Sequence, residues 1–166
     1  PRWMQERLKA VGLRPINNIV DISNYVMLEL GIPLHIFDRK KIKNDTIHIK
    51  RAGEKTTFQT LDEVERELEA SDTVICDSEK PLVLAGIMGG LSSGVNEETS
   101  EVFIEVANWK ASEIRQTSTR LGLRTDSSQR YEKTLDSQLC ERTLLRTLEL
   151  LRKLCPSAQV IGKMEY

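Results

Sequence analysis

The chain is 166 residues long, with 39% hydrophobic and 30% charged residues, enough to bury a core and unlike the composition of disordered segments. Its net charge of -1 and pI near 6.3 exclude a broad basic surface, so any nucleic acid must be gripped by a local patch or with a partner's help. Three widely spaced cysteines, Cys76, Cys140 and Cys155, include no CxxC pair and fit reduced thiols in a cytoplasmic protein. No stretch reaches the length of a membrane span, and the opening residues do not read as a signal peptide.

A helical pattern runs from Pro1 to Leu13, with Pro1 at the favoured first position, Trp3, Met4, Leu8 and Val11 at helical spacing, and Gly12 as a stop. Its start without an initiator Met leads us to expect a piece of a longer polypeptide. A second helical stripe, Ile22, Tyr25, Val26 and Leu30, covers Ile19 to Leu30 and ends at Gly31 and Pro33. Short strands follow over Leu34 to Phe37, Thr46 to Arg51, Thr56 to Leu61, Val64 to Leu68, Thr73 to Cys76, Leu82 to Met88 and Val102 to Ala107. Asn44-Asp45 and Gly53-Glu54 are turns. Helices return over Ala111 to Leu121, stopped by Gly122, and from about Ser137 to Leu154. Asp136 or Ser137 would cap the last helix, and Leu139, Leu144, Leu145, Leu148, Leu151 and Leu154 form its apolar side. Helices, then strands, then helices without βαβ alternation predict an α+β domain over 1–166. Its core would be a mostly antiparallel sheet or partial β-barrel flanked by N-terminal and C-terminal helices.

Glu105 stands out because its segment, Val102 to Ala107, is otherwise apolar. Alternation puts it on a face with Phe103 and Ala107, where an ionised carboxylate needs a partner or a pocket. The turn Gly86-Ile87-Met88-Gly89-Gly90 lacks the lysine of a phosphate loop. It would bring backbone N–H groups close to a ligand, or serve as a tight turn between core strands. His35, between Leu34 and Ile36, is either a satisfied core histidine or a group that orients water. His48 looks solvent-facing. Arg115, Arg120, Arg124 and Arg130, interleaved with Thr and Ser, form either a local phosphate-binding patch or a solvated helix face with ion pairs. No metal-ligand pattern, serine-hydrolase elbow or cofactor motif occurs.

Long ordered motifs then carry a resemblance. Arg14-Pro15-Ile16-Asn17-Asn18-Ile19-Val20-Asp21-Ile22-Ser23-Asn24-Tyr25-Val26 through Gly31, and Pro33-Leu34-His35-Ile36-Phe37-Asp38, resemble the B3/B4 region of the bacterial phenylalanyl-tRNA synthetase β subunit. Leu84 through Gly90 and Leu123-Arg124-Thr125-Asp126-Ser127-Ser128-Gln129-Arg130-Tyr131-Glu132 extend the resemblance over nearly the whole chain. It implies an editing domain that hydrolyses tyrosine mistakenly esterified to the phenylalanine tRNA, with water as nucleophile and the terminal ribose hydroxyl assisting. Glu105 then matches the residue that recognises the tyrosine hydroxyl. Gly89, Thr125 and Ser127 match other pocket positions, and His35 and Asn24 match residues near the ester and terminal adenosine. The four arginines would hold the tRNA. The resemblance further implies the tRNA(Phe) acceptor end, the alpha subunit and the remaining beta-subunit domains as partners, with ATP and magnesium needed only by the complete synthetase. The family usually has alanine at Ser127 and threonine at Ser23. The alternative is a non-catalytic tRNA-binding or subunit-interface module, from which tyrosine binding that depends on Glu105 would distinguish it.

Overall fold

The computed structural model describes residues 1–162; residues 163–166, the end of the expected 1–166 unit, lie outside the described residues. Helix α1 (Arg2–Ala10) buries Met4 and Leu8, but Val11 lies beyond its end and is exposed, contrary to its expected place on the apolar stripe. Helix α2 (Asn18–Leu30) begins where the Asn17 side chain accepts the N–H groups of Ile19 and Val20, and ends on Gly31 at φ +82°. At the other end of the chain lies α5 (Leu139–Leu154). With α1 and α2 it buries Met4, Leu8, Ile22, Val26 and Leu150 in one apolar cluster. Each such side chain contributes about 1.5–3 kcal/mol.

Two expectations for α5 need correction. Its N-terminal boundary is Gln138, which makes no side-chain cap. Asp136 instead accepts the Gln138 N–H one turn earlier. Its buried face carries Thr143, Thr147, Leu150 and Leu151, while Leu145 is exposed. The small threonines turn inward beneath the leucines, and Thr147 satisfies its hydroxyl on the Thr143 carbonyl.

The strands are β1 (His35–Asp38), β2 (His48–Arg51), β3 (Thr56–Gln59), β4 (Glu65–Leu68), β5 (Thr73–Cys76), β6 (Pro81–Leu84), β7 (Met88–Gly89) and β8 (Val102–Glu105). All pairings are antiparallel: β1 with β8, β3 with β4, and a four-stranded sheet ordered β2-β5-β6-β7. Isolated bridges from Phe37 to Gly94 and from Thr60 to Gly90 link these sheets without closing a barrel. The single strand expected over Leu82 to Met88 is two strands, because Ala85–Ile87 reverse the chain with Gly86 at φ +67°. His48 is exposed and Cys76 is buried, as expected. All three cysteines are free thiols.

Helix α3 (Ala111–Arg120) follows β8 and stops before Gly122 at φ +59°. The polar stretch after it forms a short helix, α4 (Asp126–Tyr131), which composition does not suggest. Thr125 and Ser128 make it possible by capping each other's backbone N–H groups. Among the described residues no helix is long and apolar enough to cross a membrane.

Candidate functional site

The β1–β8 pair sets the site. Its register places His35 opposite Glu105 and Phe37 opposite Phe103, so these four side chains share one face, while Ile36 and Ile104 point to the other. Ile104 joins the helical core. Phe37 is fully buried and supports the His35 ring edge-on, with centroids 4.4 Å apart. The functional face is thus braced from behind by an aromatic ring and from beneath by the helices.

His35 and Glu105 line a cavity of about 50 Å³ together with Gly86, Met88, Gly89, Trp109, Ser127 and Tyr131. The Nε2 atom of His35 and the Oε1 atom of Glu105 are both shielded from solvent without a hydrogen-bond partner. Such atoms are uncommon in folded proteins and mark a site that a ligand or water completes. Burial drops the His35 imidazole to about 4 and pushes the Glu105 carboxyl up to about 8. Both groups are therefore mainly uncharged near neutral pH.

The glycine turn fits around this pair. A Cβ at Gly89 would lie 2.5 Å from the His35 ring, so only glycine lets the imidazole occupy its place. Gly90 behaves differently from the expected ligand-facing amide. Its N–H donates to the Leu82 carbonyl at 2.7 Å, and a Cβ there would meet that carbonyl and the Phe58 ring. The Gly89 carbonyl is likewise occupied, accepting the Leu61 N–H. Gly90 is a packing glycine, and Gly89 is a cavity wall.

Behind the wall, the Thr125 hydroxyl donates to the Ile87 carbonyl at 2.7 Å and accepts the Ser128 N–H at 3.1 Å. Thr125 therefore ties α4 to the glycine turn instead of lining the cavity, whereas Ser127 does line it. Asn24 lies half-buried within α2, outside the cavity lining. Tyr131 is a wall residue that composition does not single out. Its hydroxyl sits 2.8 Å from the carbonyls of both Pro33 and Ala107, pinning β1 and the end of β8 to α4. A buried phenol at the foot of a capped turn is the only local signal for it.

The four arginines do not converge on the cavity. Arg115 donates to the Glu132 carbonyl, Arg124 pairs with Glu132 at 3.2 Å, and Arg130 pairs with Asp126 at 2.9 Å. Arg120 pairs with buried Asp72 and reaches Glu69 at 3.6 Å. Each guanidinium thus has an internal partner. Among the described residues no group of three or more His, Cys, Asp or Glu side chains is placed to hold a metal ion.

An antiparallel α+β scaffold that presents a His–Glu pair with shielded, unpartnered atoms beneath a glycine turn defines a small α+β domain with a polar-floored cavity. A model of the B3/4 domain matches residues 1–156, and the chain belongs to that family. It is 51% identical over 152 residues to the phenylalanine–tRNA ligase beta subunit of Porphyromonas gingivalis, covering 91% of this chain and 19% of that protein. The beta subunit of Clostridium acetobutylicum is also 51% identical, over 165 residues, covering 99% of this chain and 21% of that protein. The Staphylococcus aureus beta subunit is 48% identical over 152 residues, covering 92% and 19%. The chain spans about a fifth of the length of these curated relatives.

Proposed function

We propose that this chain is the editing domain of a phenylalanine–tRNA ligase beta subunit, removing tyrosine mistakenly esterified to tRNA(Phe). The observation that carries the reading is the solvent-shielded, partnerless Oε1 of Glu105 at the cavity. Tyrosine differs from phenylalanine by one hydroxyl, and a buried polar group that pairs only with that hydroxyl prefers tyrosine. Sites of this kind discriminate by about 10⁴–10⁵ in favourable cases. Bound phenylalanine would leave Glu105 unpaired, with the full desolvation cost still in place.

Glu105 is then the selector and not the base. His35 faces it with a free Nε2 and is neutral near pH 7, so it can accept a hydrogen bond from the attacking water. The water oxygen bonds to the ester carbonyl carbon and the bond to the ribose oxygen breaks. The proton ends on the ribose hydroxyl, giving free tyrosine and tRNA. Gly89 and Ser127 shape the wall, Thr125 holds it from behind, and Asn24 would meet the terminal adenosine. The scheme asks for no cofactor in this domain.

The cavity is smaller than the roughly 150 Å³ that accepts benzene in an apolar core. An aromatic guest must therefore shift a wall side chain, and Met88, unbranched and half-buried, is the most adaptable of them. The partners that follow from this reading are the tRNA(Phe) acceptor end, the alpha subunit and the other beta-subunit domains. Deacylation of Tyr-tRNA and Phe-tRNA by the complete synthetase carrying Glu105→Ala tests it. Loss of the preference for tyrosine is expected, and an unchanged preference would sink the reading.

A further inference from the structure

We infer that Glu105 meets its ligand as a neutral carboxylic acid, so that it both donates to and accepts from a hydroxyl group. This deepens the reading of the cavity as a tyrosine site and rests on it. The geometry leaves an anion nothing to pair with. No lysine or arginine lines the cavity, and no salt bridge involves Glu105 or His35 among the described residues.

The titratable groups that face Glu105 are His35 from β1, Tyr131 from α4 and Cys140 from α5. Burial keeps the imidazole unprotonated, and burial together with Glu105 itself raises both the phenol and the thiol. Near neutral pH none of the three supplies a positive charge. The Tyr131 proton is already committed to the Pro33 and Ala107 carbonyls and cannot be offered to a carboxylate. Glu105 is half-buried with Oε1 shielded, so an ionised carboxylate would hold one oxygen away from solvent with no counter-ion or protein donor, a costly arrangement. A neutral acid has only a polar group to satisfy.

The form of the acid changes what is recognised. A carboxylate only accepts, and would read a hydroxyl as a proton donor. A carboxylic acid presents one O–H and one carbonyl oxygen, matching the donor and the acceptor of a phenol in a reciprocal pair. Phenylalanine leaves both halves unmet. The side-chain amide of glutamine has the same size and the same donor–acceptor pairing, and it does not ionise.

The complete synthetase carrying this sequence provides the test, with Tyr-tRNA and Phe-tRNA deacylation measured at pH 6 to 9 and spontaneous hydrolysis subtracted. The unmodified protein should hold its preference for tyrosine up to pH 7 and lose about tenfold of it by pH 9, as the acid ionises. Glu105→Gln should retain most of the preference and make it independent of pH, while Glu105→Ala loses it at every pH. Thermal unfolding of each variant checks the fold. The inference is overturned if Gln loses the preference as fully as Ala, or if the unmodified profile is flat to pH 9. In either event the tyrosine reading survives provided that Ala loses the preference. If Ala keeps it, both fail together.

Discussion

Gly89 and the His35 ring are in direct contact, close enough that a methyl group on residue 89 would overlap Cε1. The same methyl would press on Leu61 at 3.0 Å. Gly89→Ala is therefore expected to turn the imidazole out of register with Glu105, at a cost of about 1–3 kcal/mol. The expected outcome is a folded protein with a lower unfolding temperature and deacylation reduced at least tenfold. Near-normal deacylation would show that the ring position is not required.

The Thr125 hydroxyl joins the start of α4 to the glycine turn through the Ile87 carbonyl. Thr125→Val keeps the shape but removes both the cap and the bond to the turn, costing about 1–2 kcal/mol. Thr125→Ser keeps the hydroxyl and should recover most of the loss. Denaturant unfolding of the pair checks this. Equal destabilisation by Val and Ser would assign the effect to the methyl group instead.

The opposed titrations of Glu105 and His35 give stability a characteristic pH dependence. Folded Glu105 holds its proton up to about 8, whereas the unfolded group releases it near 4.5. Folding thus takes up a proton between those values, and stability falls as pH rises through them. His35 resists protonation down to about 4 when folded but accepts it below 6.5 when unfolded, so stability also falls as pH drops from 6.5 to 4. Glu105→Gln abolishes the first loss and keeps the second. It should raise stability at pH 7.5 by up to about 4 kcal/mol and leave the acid side unchanged. Unfolding temperatures from pH 4 to 8.5 would show this, and parallel curves for the two proteins would refute it.

Arg120 and Arg124 separate a structural from a superficial ion pair. Arg120→Ala removes the cation beside Asp72, which is only 2% exposed and keeps the Glu69 N–H and the Thr117 hydroxyl as donors, and should cost about 1.5–3 kcal/mol. In the pair of Arg124 with Glu132 the arginine side chain is 65% exposed, and Arg124→Ala should cost less than about 1 kcal/mol. If the patch contacts tRNA, Arg124→Ala should nevertheless weaken tRNA binding to the complete synthetase and flatten its salt dependence. Normal affinity and salt slope would leave Arg124 as a surface residue only.

Much of this architecture is readable in the residues. Asn17 and Gly31 bracket α2 as helix signals do, and the strand pattern finds six of the eight strands within a residue or two. It runs β6 and β7 together because the glycine turn between them is as apolar as the strands. On α5, counting leucines rightly includes Leu148, Leu151 and Leu154 but misplaces exposed Leu145 and misses the inward Thr143 and Thr147. Helix α4 is hidden among Ser, Asp and Gln, although the Thr125 and Ser128 capping pair is its signature. Glu105 is conspicuous from its apolar surroundings alone, but its partner across the ladder is not. Strand register depends on long-range pairing that local pattern does not encode. The arginines cluster in sequence yet point to different carboxylates, a distinction only geometry makes.

The hydroxyl of Tyr131 reaches a carbonyl 98 residues earlier in the chain. As the polypeptide leaves the ribosome, Pro33 and His35 emerge early and wait for β8 and α4 before any cavity can exist. Closing so long a loop is entropically costly, and the reward arrives only when the distant strand docks. Deletions or insertions in the surface turns between β2 and β7 should thus be tolerated far better than truncation before residue 131. A shortened chain can keep its first two helices and still possess no cavity at all.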